Sequence, residues 1–116
     1  MLKQNRRYPR FRTRLRCWCE SEDVTVYARI GNLSEGGLFL RTSTPLRQGA
    51  RALVRFKDEG SPEVSAPVTV VWTSSGGGEE SPPGMGLRFE TLDEKSLETI
   101  RQIIIGEQQQ QQARPA

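Results

Sequence analysis

Six short runs of β-forming residues, spaced regularly and broken by glycine, proline and serine, constrain this chain more than any other feature. Leu15 to Glu20, Val24 to Ile30, Leu38 to Arg41, Ala52 to Phe56, Val68 to Trp72 and Gly86 to Glu90 are rich in β-branched, aliphatic and aromatic residues and alternate in part between apolar and polar. Ser34-Glu35-Gly36-Gly37, Pro45 to Gly49 and Asp58 to Pro62 supply turn chemistry between them. No helical periodicity intervenes, which argues against parallel crossovers and for an antiparallel barrel or sandwich. At 116 residues the chain has room for one such core, burying roughly two-thirds of its unfolded surface without disulfide support.

Tyr27, Phe39, Phe56, Trp72 and Phe89 sit within these runs and are assigned to the core. Trp18 lies between Cys17 and Cys19 and should face the other way, partly exposed. On a strand the two thiols point to one face about 7 Å apart, too far for an unstrained disulfide, and read as ordinary strand residues. The segment Thr73 to Gly84, with Ser74-Ser75-Gly76-Gly77-Gly78 and Pro82-Pro83, reads as a long hairpin loop.

A helix should follow the last strand. Thr91-Leu92-Asp93-Glu94 fits a capping box, and Leu97, Ile100 and Ile104, widened by Ile103, form an apolar stripe that would close against the sheet. After Gly106, the run Gln108 to Gln112 offers no apolar stripe and reads as a frayed or disordered tail. The organisation expected is therefore a basic arm over residues 1–14, a body over 15–106 and a glutamine-rich tail over 107–116.

The charge is sharply divided. Lys3, Arg6, Arg7, Arg10, Arg12, Arg14 and Arg16 place seven cations and no acid in the first sixteen residues, although the whole chain carries only +3, so the remainder is net acidic. Such an arm attracts phosphate on nucleic acid, lipid or nucleotide. The chain has no histidine, which removes the usual general base and the commonest metal ligand. No nucleophile and base, or acid and base, stand out, so the reading is non-catalytic, with no metal and no cofactor. The charged N-terminus and the lack of a long apolar run indicate no membrane span and a cytoplasmic location.

Two groups of residues could bind a ligand. Arg6, Arg7 and Arg10 precede the first strand on a segment that Pro9 keeps extended, and guanidinium forks match phosphate oxygens and guanine acceptors while their planes stack on purines. Asn32-Leu33-Ser34-Glu35-Gly36-Gly37 forms a polar turn between the second and third runs, where Asn and Ser can contact a base edge or cap the turn.

Taken together, Arg6-x-x-x-Arg10 followed by Asn32-x-Ser34-x-x-Gly37 resembles the PilZ family of bacterial receptor domains for cyclic di-GMP. Gly84-Met85-Gly86-Leu87-Arg88-Phe89 is similar to the family's glycine-rich last strand, and the resemblance spans roughly Asn5 to Ile105. It implies a mainly β fold, a six-stranded antiparallel β-barrel with a C-terminal α-helix. It also implies that Arg6 and Arg10 contact guanine and phosphate with Arg7 assisting, that Asn32 and Ser34 read guanine edges or phosphate, and that Gly37 keeps the turn close to the ligand. Asn32 stands where the family also uses Asp, a weaker acceptor, and Glu35 would oppose a dianion if it faced the ligand.

The expected function is a cyclic di-GMP receptor or adaptor whose arm reorders on binding and which signals to a downstream protein. Two alternatives keep the fold: an interaction module that binds no nucleotide, and a small-barrel nucleic-acid binder. The retained arginine arm argues against the first, and the net acidic body against the second.

Overall fold

The computed structural model describes residues 11–12, 14–76 and 82–113, with side chains at 14–76 and 82–109. The six expected runs form the six staves of a closed barrel: β2 (Arg16–Glu20), β3 (Thr25–Leu33), β4 (Gly37–Arg41), β5 (Arg51–Phe56), β6 (Val64–Ser74) and β7 (Gly84–Phe89). A two-residue strand, β1 (Phe11–Arg12), precedes them, and α1 (Glu94–Ala113) follows. Every pairing is antiparallel, running β3-β2-β5-β6-β7-β4 and closing through β4 onto β3.

Alternation builds the interior. Cys17 and Cys19, Val26, Ala28 and Ile30, Val54 and Phe56, and Val64, Ala66, Val68 and Val70 all face inward from their strands. Both thiols are free and buried, as ordinary strand residues. Ile100, Ile103 and Ile104 of α1 complete this core, each worth about 1.5–3 kcal/mol when fully removed from water.

Two irregularities decide which side chains reach the outer wall. Between β3 and β4 the register shifts at Gly31, and between β6 and β7 it shifts at Val71. Each bulge adds a residue to one strand and so reverses which later side chains face out. Without the first, Asn32 would continue the inward series Val26, Ala28, Ile30; with it, Leu33 takes the core and Asn32 turns outward. Past the second, Trp72 is likewise turned outward after Val68 and Val70.

The core assignment therefore needs correcting for two aromatics. Phe56 and Phe89 are core residues, but Trp72 is 41% exposed because of its bulge and Tyr27 is 52% exposed because it alternates with inward Val26 and Ala28. Phe39 is buried, but on the outside of the barrel. Trp18 is exposed, as its place between two inward cysteines requires.

The connections also differ from expectation. The β6–β7 ladder continues to Ser74 opposite Gly84, so strand occupies the start of the segment assigned to a loop. The helix begins at Glu94, and its N-cap is Asp93, whose Oδ1 accepts from the Ser96 amide at 2.7 Å; the expected capping box began two residues too early. At the other end the helix runs past Gly106 through the glutamines to Ala113, where a disordered tail was expected. Glutamine is a good helix former, and no proline intervenes before Pro115.

Candidate functional site

The turn joining β3 to β4 is built around one hydroxyl. Ser34 Oγ accepts from the Gly36 amide at 3.2 Å and the Gly37 amide at 3.3 Å, and donates to the Gly37 carbonyl at 3.3 Å. The Ser34 amide donates to that same carbonyl at 2.8 Å. With only 3% of its surface exposed, Ser34 holds the shape of the turn from inside. Gly36 is in turn fixed to the barrel, its carbonyl accepting from the Phe89 amide at 3.0 Å.

Gly37 has a steric reason to be glycine. A β-carbon there would overlap the carbonyl oxygen of Leu87 and press on its carbonyl carbon and the Arg88 α-carbon, at 3.1 and 3.2 Å. The missing side chain lets β4 lie against β7 immediately after the turn, where Gly37 pairs with Arg88.

Asn32 belongs to β3 rather than to the turn, and pairs with Phe39 across the β3–β4 ladder. Paired residues share a face, so the half-buried amide of Asn32 stands beside the outward Phe39 ring. Phe39 stacks on Trp72, with ring centroids 5.2 Å apart and planes 15° from parallel. The floor beneath them is glycine: a β-carbon at Gly84 would strike the Phe39 ring, and one at Gly86 would strike the Trp72 indole, at 2.6 Å from Cε2 and 2.7 Å from Cδ1. An amide, a turn and an exposed indole thus occupy one patch of the outer wall. Sequence reasoning missed Trp72 as a surface residue; the accessible signal was the pair of glycines in β7, which leaves a large ring room to lie flat.

The charges around this patch favour an anion. Arg41 is exposed, and its Cγ stands 3.1 Å from where a Gly31 side chain would begin, next to Asn32 in the sequence. Glu35, the acid that threatened the turn, pairs with Arg101 of α1 at 3.4 Å. Its carboxylate is held by the helix.

Arg6, Arg7 and Arg10 lie outside the described residues. What the structure does place is the root of their arm. Phe11 pairs with Leu33 and Arg12 with Asn32, so β1 lies along the very end of β3 that leads into the turn. From there the chain continues along β3 into β2, with one extra residue between Arg12 and Arg16 relative to β3, and the Ile30 amide donates to the Leu15 carbonyl at 2.8 Å. Arg10 is one peptide from Phe11, about 3.8 Å between α-carbons.

Fold and turn together define a small closed antiparallel barrel, capped by a C-terminal helix, whose short strand β1 is laid beside the β3–β4 hairpin. The PilZ domain model matches residues 4–106, and the chain belongs to the PilZ domain family. Among solved structures it is similar to the PilZ domain of YcgR from Escherichia coli with c-di-GMP (TM-score 0.75, 20% identity, 94% of this chain and 95% of that one). It is also similar to the Bacillus subtilis inhibitor of motility MotI, or DgrA (TM-score 0.76, 17% identity, 97% of this chain and 54% of that one). The MrkH–c-di-GMP complex of K. pneumonia aligns with a TM-score of 0.73 at 22% identity over 96% of this chain and 56% of that one. The chain thus spans little more than half the length of MotI and MrkH. No curated protein sequence matches it. Among the described residues, no helix is long and apolar enough to cross a membrane.

Proposed function

We propose that this chain is a non-catalytic cytoplasmic receptor for cyclic di-GMP, in which Arg6, Arg7 and Arg10 close over the nucleotide while Asn32 and the Ser34–Gly37 turn receive it. The observation that carries the reading is the pairing of β1 with the end of β3, which anchors the root of the arginine arm beside Asn32 and the turn. Phe11 and Arg12, which follow the arginine motif directly, are thereby laid beside the second motif more than twenty residues on in sequence. Family membership and the nucleotide in the YcgR and MrkH structures support the choice of ligand.

The chemistry divides cleanly. The dinucleotide offers two phosphate charges and two aromatic faces, so guanidinium groups supply charge-assisted hydrogen bonds and stacking. Asn32 supplies an amide to a guanine edge, Ser34 and Gly37 hold the turn where it can meet the ligand, and the exposed face of Trp72 offers a purine a ring to stack on. Arm closure costs backbone and side-chain entropy that these contacts must exceed. It also changes the surface presented to a downstream protein, which makes the ligand a switch.

Calorimetric titration with cyclic di-GMP tests this. The parent should bind, and Arg10→Ala and Asn32→Ala should each lower affinity by about tenfold or more, the loss of one charge-assisted or bidentate contact. Ser34→Ala belongs in the series with its stability measured alongside. No heat from the parent at tens of micromolar rejects the proposal.

A further inference from the structure

The outer face of β2, β3 and β5 carries a second constellation, which nucleotide recognition leaves unused. Trp18 pairs with Tyr27 on one side and with Arg55 on the other, and Arg16 pairs with Arg29. The Trp18 and Tyr27 rings touch, with centroids 4.4 Å apart and planes tilted by 38°. Arg16 lies 5.9 Å from the Tyr27 centroid and Arg55 lies 6.0 Å from that of Trp18, so a cation flanks each ring. Leu53 adds an aliphatic edge; it, Trp18 and Tyr27 are 38%, 43% and 52% exposed.

Folding does not account for this arrangement. Arg16 stands opposite Arg29, and Arg29 opposite Arg41, so three like charges lie side by side across adjacent strands, an arrangement that destabilises a sheet. Arg55 has carboxylate partners in Glu20 at 2.6 Å and Glu63 at 3.5 Å. Arg16 and Arg29 have no ion pair with any described residue. Arginines that pair with no described carboxylate, beside exposed tryptophan and tyrosine, form the residue combination that dominates binding energy at protein interfaces.

We propose that this face docks an acidic segment of a partner protein, with its carboxylates on Arg16 and Arg29 and an aliphatic or aromatic anchor against Trp18, Tyr27 and Leu53. Charge complementarity selects the acidic partner. The carboxylates on and beside the same face, Glu20, Glu63 and those of the Glu22-Asp23 turn, oppose the uniformly anionic surface of a phospholipid bilayer or a nucleic-acid duplex while leaving room for a short segment that places its charges locally. The inference rests on the receptor reading only for what the docking would signal. The strand that carries Tyr27 and Arg29 also carries Asn32, so the two surfaces share a rigid element.

The test uses the full chain and fluorescence anisotropy with a labelled peptide of about twelve residues, half of them glutamate and two leucine, against the same peptide with glutamine for glutamate. The acidic peptide should bind at least about tenfold more tightly, and the advantage should shrink as salt rises from about 50 to about 300 mM. Arg16→Gln with Arg29→Gln, and separately Trp18→Ala, should each weaken acidic-peptide binding about tenfold while leaving the cyclic di-GMP titration unchanged; the arginine variant should melt no lower than the parent because it removes a like-charge row, and the tryptophan variant should melt only slightly lower, having lost one cross-strand ring contact. Equal binding of the two peptides, or parent-like binding by the variants, overturns the proposal. So does a preference for phosphatidylglycerol vesicles or duplex DNA over the peptide. Loss of cyclic di-GMP binding in the arginine variant would move the row into the nucleotide site, also overturning it. Peptide binding in a chain that gives no nucleotide heat would sustain this proposal and sink the receptor reading instead.

Discussion

Gly37→Ala separates the two roles a glycine in the turn motif can have. The added β-carbon would overlap the Leu87 carbonyl oxygen, and the obstacle is backbone, with no rotamer to swing aside. Inserting atoms into packed structure costs about 1–3 kcal/mol, and a fixed obstacle places this case at the upper end. The reduced freedom of the unfolded chain returns about 0.4–1 kcal/mol, leaving a net loss of about 2 kcal/mol. For a chain of 116 residues, an unfolding entropy of about 2.1 cal/mol/K per residue makes each kcal/mol worth about 4 °C, so the melting temperature should fall by about 8 °C. Thermal unfolding followed by circular dichroism, checked by the midpoint of urea unfolding, reads this directly. One of the two strands that must part, β4, leads directly out of the turn, so cyclic di-GMP affinity should fall as well. A melting temperature within about 2 °C of the parent would refute the steric argument and leave a ligand contact as the reason for glycine.

Three more perturbations test the geometry. Arg101→Gln removes the partner of Glu35; an exposed pair contributes only about 0–1 kcal/mol, so stability should barely move while the freed carboxylate lowers cyclic di-GMP affinity a fewfold, and an unchanged titration would contradict the placement of Glu35. Asp93 is held below its ordinary value of 3.8, first by the Ser96 amide it caps; a depressed carboxylate contributes stability that is present above 3.8 and lost as pH falls through the folded value. Asp93→Asn should therefore flatten part of the fall in melting temperature between about pH 5 and pH 3, and identical pH profiles would show that the cap contributes nothing. Burial pushes the Cys17 thiol up to about 12 and the Cys19 thiol to about 11; at pH 8 both stay protonated and out of reach of solvent, so iodoacetamide should label the native protein at least about a hundredfold more slowly than the urea-unfolded chain, and comparable rates would refute the buried assignment.

What could be read from the sequence divides along the same physical lines. Strand runs were legible because inward side chains repeat every second residue, and the helix because Ile100, Ile103 and Ile104 repeat at helical spacing. Tyr27 was legible too, since Val26 and Ala28 already claimed the inward positions, but its aromatic character outweighed its parity. Asn32 and Trp72 were not legible as outward residues, because each owes its direction to a bulge and a bulge is a property of two paired strands. The β1–β3 pairing rests on two residues, too few for any periodic pattern. The partner of Glu35 lies 66 positions away on α1 and only the closed fold brings it near.

These non-local features converge on the electrostatics of the turn. A receptor for a dianion must gather cations without a scaffold that neutralises them, yet its turn here carries a carboxylate at Glu35. The fold resolves the conflict by distributing charge between elements. Arg101 draws Glu35 toward the helix, while Arg41 stays exposed on the strand leading out of the turn, with no ion pair to any described residue. A surface pair as open as Glu35–Arg101 adds little to stability, so its consequence lies in direction: it sets where the one acid of the turn points. The like-charged strand arginines cost the sheet some stability, and an arriving carboxylate relieves that repulsion. Charges that folding leaves unsatisfied thus make the arginine row on β2 and β3 a surface that gains from an acidic partner.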